Sequence, residues 1–429
     1  MANYKKLKGE GEIVMKNLIK DTLSFISKTH SPFHAINNIE NLLIDNGFEK
    51  LSESRQFNIQ RGGKYFITRN DSSLIAFSIG NENKFHIVAT HSDSPTFKLK
   101  PNPIVNKSGY TSLATEVYGG PIISSWFDRP LSIAGRLLVK ENDKIVTKLV
   151  DIDDDICIIP NVCIHFNREI NNGYKYNPSI DTYPLLSLSN VNDLYSLFGE
   201  NNEVLGHDLY LYNRDEAKII GPDKQLFASS KIDNLECSYL ATRAFIDTND
   251  NSVINVLAIF DNEEVGSDTI QGADSTFLDD ILFRISIALN LNHEQYLIAL
   301  SKSFLVSADN AHAIHPNHPE LSDSNNCPKM NQGIAIKFNA AQNYTSSGYS
   351  SALFIDVLKQ NNVPYQFFAN RSDIRGGGTL GSISSTHVSI QSVDIGCPQL
   401  SMHSSYEVAG IQDIEYMYQC LKAFYNSNI

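Results

Sequence analysis

Two adjacent glutamates, Glu263 and Glu264, follow an apolar run at 253–260 within Asp261-Asn262-Glu263-Glu264. A strand that ends in adjacent acids places carboxylates at the carboxyl edge of a sheet, where open α/β sheets bind their ligands. Neighbouring side chains of an extended segment point different ways, so one carboxylate can hold a metal while the next faces a water. A single acidic pair is ordinarily a solvated loop, but here the arrangement recurs. The apolar run 85–90 leads into His91-Ser92-Asp93-Ser94-Pro95, and 304–307 leads into Ala308-Asp309-Asn310. Lys231-Ile232-Asp233-Asn234-Leu235 precedes a predicted helix, and Leu400-Ser401-Met402-His403-Ser404 ends another apolar stretch. Two histidines and three carboxylates so placed suit two divalent metals, one aspartate bridging and one histidine with one acid completing each site. Spacing alone leaves that reading open against the plainer one of helix caps and satisfied core residues.

The elements that must position these residues fall into two textures. Apolar positions at helical spacing over 13–47, interrupted at Ser31-Pro32 and closed at Asn46-Gly47, predict two helices. Strand-like runs follow at 74–79 and 85–90. Between 96 and 228 the chain reads as mainly β, with runs such as 131–139 separated by turn residues at Gly109, Gly119-Gly120-Pro121 and Asn171-Asn172-Gly173. From 229 onward helical stretches alternate with buried strands at 253–260, 304–307, 333–338 and 365–369, an α/β pattern. The simplest architecture is one α/β domain from residues 1–95 plus 229–429, carrying a β-rich insertion at 96–228.

Composition narrows the partners. A formal charge of −13 argues against nucleic acid or an anionic membrane as the main partner. No apolar run reaches the roughly 18 residues that span a bilayer. Residues 1–21 lack the apolar core of a secretory signal. Six cysteines, none in a C-x-x-C pair, read as reduced thiols. The expected location is the cytoplasm.

The segments HSDSP (91–95), SSKIDNL (229–235), DNEEVGS (261–267), SADNAHAIHPNHP (307–319) and PQLSMHSS (398–405) resemble, in order, the motifs of the aspartyl aminopeptidase family, two-metal exopeptidases of clan MH. SWFDRPLSIAGRL (125–137) and IHFNRE (164–169) extend the likeness through the insertion. The resemblance implies a central mixed sheet flanked by helices, zinc-exopeptidase-like, with the insertion as a dimerisation domain of a tetrahedral dodecamer. It implies two divalent ions per subunit, zinc foremost, with cobalt or manganese also accommodated. Asp233 would bridge, His91 and Asp309 would complete one site, and Glu264 and His403 the other. Glu263 would be the general base, and Asp93 would support the site from behind. His165 would reach the partner subunit's site and stabilise the oxyanion, and Lys337 would contact substrate. The glycine-rich turn GGGTLG (376–381), with Gly378 and Thr379, would lie beside the substrate. That turn and NAAQNYTS (339–346) depart from the family pattern, leaving the preference for N-terminal Asp or Glu open while keeping the chemistry.

The implied reaction is hydrolysis of a peptide's first bond. Two metals roughly 3.5–4 Å apart acidify a water, and a carboxylate that is not itself coordinated takes its proton. A carboxypeptidase or N-acyl amino acid deacylase of the same clan would use a similar set, and a metal-dependent peptide-binding shell would use it without turnover. Two further patterns are decoys. Gly376-x-Gly378-x-x-Gly381 fits a dinucleotide motif, but charged residues at 371–375 separate it from the preceding apolar run. His312, His315 and His318 recur every third residue, but Pro316 and Pro319 break any helix that would align them.

Overall fold

The computed structural model describes residues 16–248 and 252–429. Helical residues 16–28 lead to a second helix, Pro32–Asp45, and the predicted start at residue 13 lies outside the described residues. Ser31 caps the second helix, its hydroxyl accepting the His34 N–H, with Pro32 at the first turn where a missing N–H costs nothing. The His34 ring is buried against that cap, Nδ1 2.7 Å from the Ser31 hydroxyl. Burial pulls its pKa down to about 4, so the folded chain holds it neutral. A depressed folded value gives stability that is complete above the unfolded value near 6.5 and lost as pH falls toward 4, on the order of 3 kcal/mol at the acid end. His34→Gln is therefore expected to flatten the decline of Tm between pH 6.5 and 4. Calorimetry of both proteins across that range checks it, and parallel curves would remove His34 from the acid response.

Among the described residues the central sheet has nine strands. Their order is Glu49–Lys50, Lys64–Arg69, Ser73–Ser78, Ile254–Phe260, Phe85–His91, Phe304–Ala308, Gln391–Gly396, Ile334–Phe338 and Tyr365–Ala369. The four strands from Ile254–Phe260 to Gln391–Gly396 run parallel, with antiparallel neighbours on both sides, so the sheet is mixed. Phe85–His91, Ile254–Phe260 and Phe304–Ala308 are buried along their whole length. Helices cover both faces, which is why these strands read as unbroken apolar runs. Helices Pro32–Asp45, Ile232–Ile246 and Ile411–Tyr425 close one face around Ile39, Leu240 and Phe424. Phe277–Ala288 and His293–Ser301 close the other around Ile281, Tyr296 and Leu300.

A six-stranded antiparallel sheet is drawn wholly from Thr96 to Asn213. It has its own core around Phe97, Trp126, Ile133 and Leu211. Strands Lys218–Ile220 and Leu226–Ser229, expected inside the 96–228 insertion, belong elsewhere: Leu226–Ser229 pairs with Glu407–Gly410 in a five-stranded sheet. The chain thus rejoins the α/β body soon after Asn213. The insertion leaves large apolar side chains exposed, with Phe166 88% exposed and Ile180 and Leu188 also uncovered. No helix of the described residues is long and apolar enough to cross a membrane. All six cysteines are free thiols.

Candidate metal centre

Parallel pairing puts the carboxyl ends of three central strands on one edge, with His91 opposite Phe260 in the register. His91 is the last residue of its strand, and Asp309 follows directly on Phe304–Ala308. Glu263 and Glu264 do not continue as extended chain, contrary to the reading from strand alternation. They sit in a 3₁₀ turn, Glu263–Val265, entered through Asn262 at φ 62° and left through Gly266 at φ 104°. The turn, rather than the pleat, parts the two carboxylates. Asp233 stands at the start of helix Ile232–Ile246, where it and Asn234 depart from helical angles. His403, at φ 68°, lies in the turn that follows strand Pro398–Leu400.

These residues converge as two trios that share Asp233. His91 Nε2 lies 3.5 Å from Asp233 Oδ1 and 3.4 Å from Asp309 Oδ1. His403 Nε2 lies 3.6 Å from Asp233 Oδ2 and 3.4 Å from Glu264 Oε2. Each trio, His91/Asp233/Asp309 and Asp233/Glu264/His403, offers ligand atoms within 4.8 Å of one another. Glu263 offers an oxygen within that distance of both His91 and Glu264, members of different trios, and so faces the gap between them. The donor set fits divalent cations on two further counts. Asp233 Oδ1 and Glu264 Oε1 are buried without a hydrogen-bond partner, a costly state that a cation would relieve. Both imidazoles also turn Nδ1 to a backbone carbonyl, His91 to Asp93 O at 3.1 Å and His403 to Gly120 O at 3.1 Å. A carbonyl only accepts, so Nδ1 carries the proton and Nε2 keeps its lone pair for a metal.

The charges are poised accordingly. Burial pushes the Glu263 carboxyl up to about 8, with Asp309, Asp93 and Asp233 adding to the rise against His91. Burial, Asp233 and Glu263 hold Glu264 well above its ordinary range. Burial opposes the charged form of His403, but Asp233 outweighs it and raises the imidazole to about 9. Burial likewise opposes ionisation of Asp233, and its contacts with His403 and His91 hold it far below the usual carboxylate range. At pH 7 the metal-free centre therefore carries protons that ligation must displace. Zinc binding is expected to release protons at pH 7, and its apparent affinity to rise as pH climbs from 7 to 9. Titration calorimetry in two buffers of different ionisation enthalpy measures both; buffer-independent heats would contradict the expectation.

Asp93 is fully buried behind this centre. Its Oδ1 accepts the Glu263 N–H at 3.2 Å and lies 3.3 Å from His91 Nδ1, while Oδ2 accepts the Glu264 N–H at 3.2 Å. Lys337 is buried, its Nζ 3.2 Å from Asp309 Oδ2, so it braces a donor of the first trio. Thr379 is also buried, and its hydroxyl donates to Asp394 at 2.6 Å. Gly378 is exposed, whereas its neighbours Gly376 and Gly377 line a cleft of about 420 Å³ together with His312, Arg375, Leu400 and Ser401. His315 and His318 lie with ring centroids 5.4 Å apart and planes tilted by 35°, and the three histidines of that segment form no ligand cluster among the described residues. His165 lies exposed on the insertion and is absent from its own chain's clusters.

Three supporting residues escaped the sequence reading. Glu407 accepts the backbone N–H of Asp233 at 3.2 Å and of His403 at 2.8 Å, so one carboxylate spaces two donors. Tyr118 donates to Asp93 Oδ2 at 2.8 Å, and Asn262 donates to the Tyr118 hydroxyl at 2.8 Å. Their only mark in the sequence is polarity near a motif or a turn.

Two histidine–carboxylate trios sharing an aspartate, on the carboxyl edge of a helix-covered mixed sheet, define a metal-dependent hydrolase. The chain belongs to the M18 family, described as aminopeptidase I zinc metalloprotease, whose profile matches residues 25–197 and 187–425. A probable M18 family aminopeptidase 2 of Clostridium acetobutylicum is 44% identical over 96% of this chain and 100% of its own length. Among solved structures, the Ape4 and Nbr1 complex contains a chain 36% identical, with a TM-score of 0.92 over 96% of this chain and 86% of that one. The S. cerevesiae mApe1 dodecamer matches at 26% identity and a TM-score of 0.82 over 95% of this chain and 96% of that one. The protein is thus a metal-dependent aminopeptidase of a zinc family.

Proposed function

We propose that this enzyme removes N-terminal residues, with Asp and Glu preferred, from short peptides, using two divalent cations per subunit and Glu263 as general base. The observation that carries the reading is the division of Asp233, whose two oxygens face different histidines while Glu263 faces the gap between the trios. Cations bound there would acidify a water and offer positive charge to the polarised carbonyl. Glu263 takes the proton of that water and delivers it to the leaving amine, returning to the carboxylate. Asp93 holds the backbone of both glutamates so that the base keeps its aim. Asp233, His91 and Asp309 would hold one cation, and Asp233, Glu264 and His403 the other. The acidic preference is supported by the cleft beside His312, whose lining includes Arg375, a residue with no ion-pair partner among the described residues, alongside Asp323. Lys337 contributes through Asp309, and Gly378 and Thr379 through the shape of the adjoining turn.

The insertion's exposed apolar side chains support self-association, and the mApe1 neighbour is a dodecamer. In such an assembly His165 would serve a neighbouring subunit's site.

The test is hydrolysis of aminoacyl-p-nitroanilides and dipeptides beginning with Asp, Glu, Leu, Ala or Lys. Each is run after chelation and after return of zinc, cobalt or manganese. Metal-dependent cleavage that needs a free amine and is fastest on Asp and Glu is expected. Fastest cleavage of Leu or Ala would overturn the acidic preference. Cleavage confined to N-acylated or carboxy-terminal substrates would replace the aminopeptidase with a deacylase or carboxypeptidase.

A further inference from the structure

The insertion reaches the metal centre of its own chain. At the end of strand Tyr110–Tyr118 the chain turns through Gly119, Gly120 and Pro121 and passes directly behind the Glu264/His403 trio. Four contacts gather there within five residues. Tyr118 donates to Asp93 Oδ2, the same oxygen that accepts the Glu264 N–H. Gly119, at φ 72°, packs so closely that a Cβ there would stand 3.1 Å from Glu264 Cβ. The Gly120 carbonyl accepts from His403 Nδ1, and the Ile122 N–H donates to the His403 carbonyl at 2.9 Å. The turn that carries His403 is held further along, where Ser405 N–H donates to Ser125 Oγ at 2.8 Å and Asn213 Nδ2 donates to Ser405 O at 2.9 Å. Among the described residues the other trio takes no direct hydrogen bond from residues 118–122: Asp309 is held by its own sheet through Ile395 and by Lys337, and His91 by Asp93.

We propose that residues 118–122 of the insertion are the positioning element of the Glu264/His403 site, with Tyr118 the residue that fixes Asp93 and, through it, the backbone of the base loop. Tyr118 is 8% exposed and its hydroxyl is engaged on both sides, receiving from Asn262 and giving to Asp93. Removing that oxygen leaves Asp93 one donor short and Asn262 without its acceptor, freeing the turn that holds Glu263 and Glu264. The Gly120 carbonyl sets the His403 tautomer, and a shift of the insertion would withdraw it. The insertion therefore grips the His403 side of the metal centre directly and reaches His91 only through Asp93. The inference rests on the two-cation reading above.

Tyr118→Phe tests it, because the ring and its edge-on packing against Tyr210 at 5.5 Å survive while the hydroxyl is lost. Zinc stoichiometry and affinity are measured by chelator competition on the assembled protein, beside the visible spectrum of the cobalt form. Supporting groups behind metal ligands typically change affinity by about 10–100-fold. One of two zinc ions is expected to bind at least about 10-fold more weakly, with a smaller loss at the other, and the cobalt bands to shift. A fall in kcat of about 10-fold at a nearly constant KM would accompany this, with oligomeric mass as in the parent and Tm only slightly lowered by the unpaired Asn262 amide. Gly119→Ala, which crowds Glu264 directly, should weaken the same ion. Unchanged affinities and spectrum in Tyr118→Phe would overturn the inference, as would equal weakening of both ions. A parent protein that binds fewer than two zinc ions would instead overturn the two-cation reading.

Discussion

Glu263→Gln is expected to fold, bind zinc like the parent protein and lose turnover by about 10²–10⁴-fold, the range for a positioned general base. The amide keeps the size and planarity of the carboxylate but accepts no proton at any working pH. Its backbone N–H, the group that Asp93 grips, is unchanged, so the 3₁₀ turn survives. The same substitution separates two roles that geometry alone allows Glu263. Its oxygen also lies within ligand distance of His91 and Glu264. A ligand would take zinc with it when removed, whereas a base would take only the rate. Zinc content by atomic absorption and kcat on the preferred p-nitroanilide, measured together, decide between them. Near-normal kcat would end the base assignment.

Asp233→Asn should have the larger effect on metal. The carboxylate gives one oxygen to each trio, so the amide presents a neutral NH₂ to one side and removes the anion that charges both histidines. His403, raised to about 9 by Asp233 against its burial, would lose that support. Expected outcomes are loss of both zinc ions, activity below about 10⁻³ of the parent, and a Tm that no longer responds to added zinc. In the parent, zinc at about 1,000 times its Kd adds roughly 4 kcal/mol. Differential scanning fluorimetry against zinc concentration reads this directly. Retention of one tightly held ion would mean that Asp233 serves a single site.

The strands that build the centre were legible because parallel strands buried on both faces leave no polar alternation to hide them, as at 85–90 and 253–260. His91, Asp309 and the two glutamates stood out because each closely follows or ends such a run, whereas Asp233 opens a helix and His403 lies in a turn. What stayed hidden depends on contacts across long separations. Pairing of Leu226–Ser229 with Glu407–Gly410 moves a β segment out of the insertion, and nothing local to residues 226–229 announces a partner so far along the chain. Glu407 looks like any acid on a short strand until Asp233 and His403 are seen to hang from it. Lys337 and Thr379, placed near substrate by the family resemblance, have buried partners that no local pattern announces, Asp309 for the ammonium and Asp394 for the hydroxyl.

The order of strands in the central sheet also governs when the enzyme becomes competent during synthesis. Phe85–His91 lies between Ile254–Phe260 and Phe304–Ala308, so its neighbours are made more than 150 residues after it. Pairing across such separations is slow, because the intervening loop must be closed first. The insertion has its own core and its strands lie close in sequence, so it can condense while the central sheet waits. His403, the last donor in chain order, is made 312 residues after His91 (403 − 91). A nascent chain therefore exposes His91 and Asp233 long before both trios are complete, and the metal centre cannot close until His403 has been made.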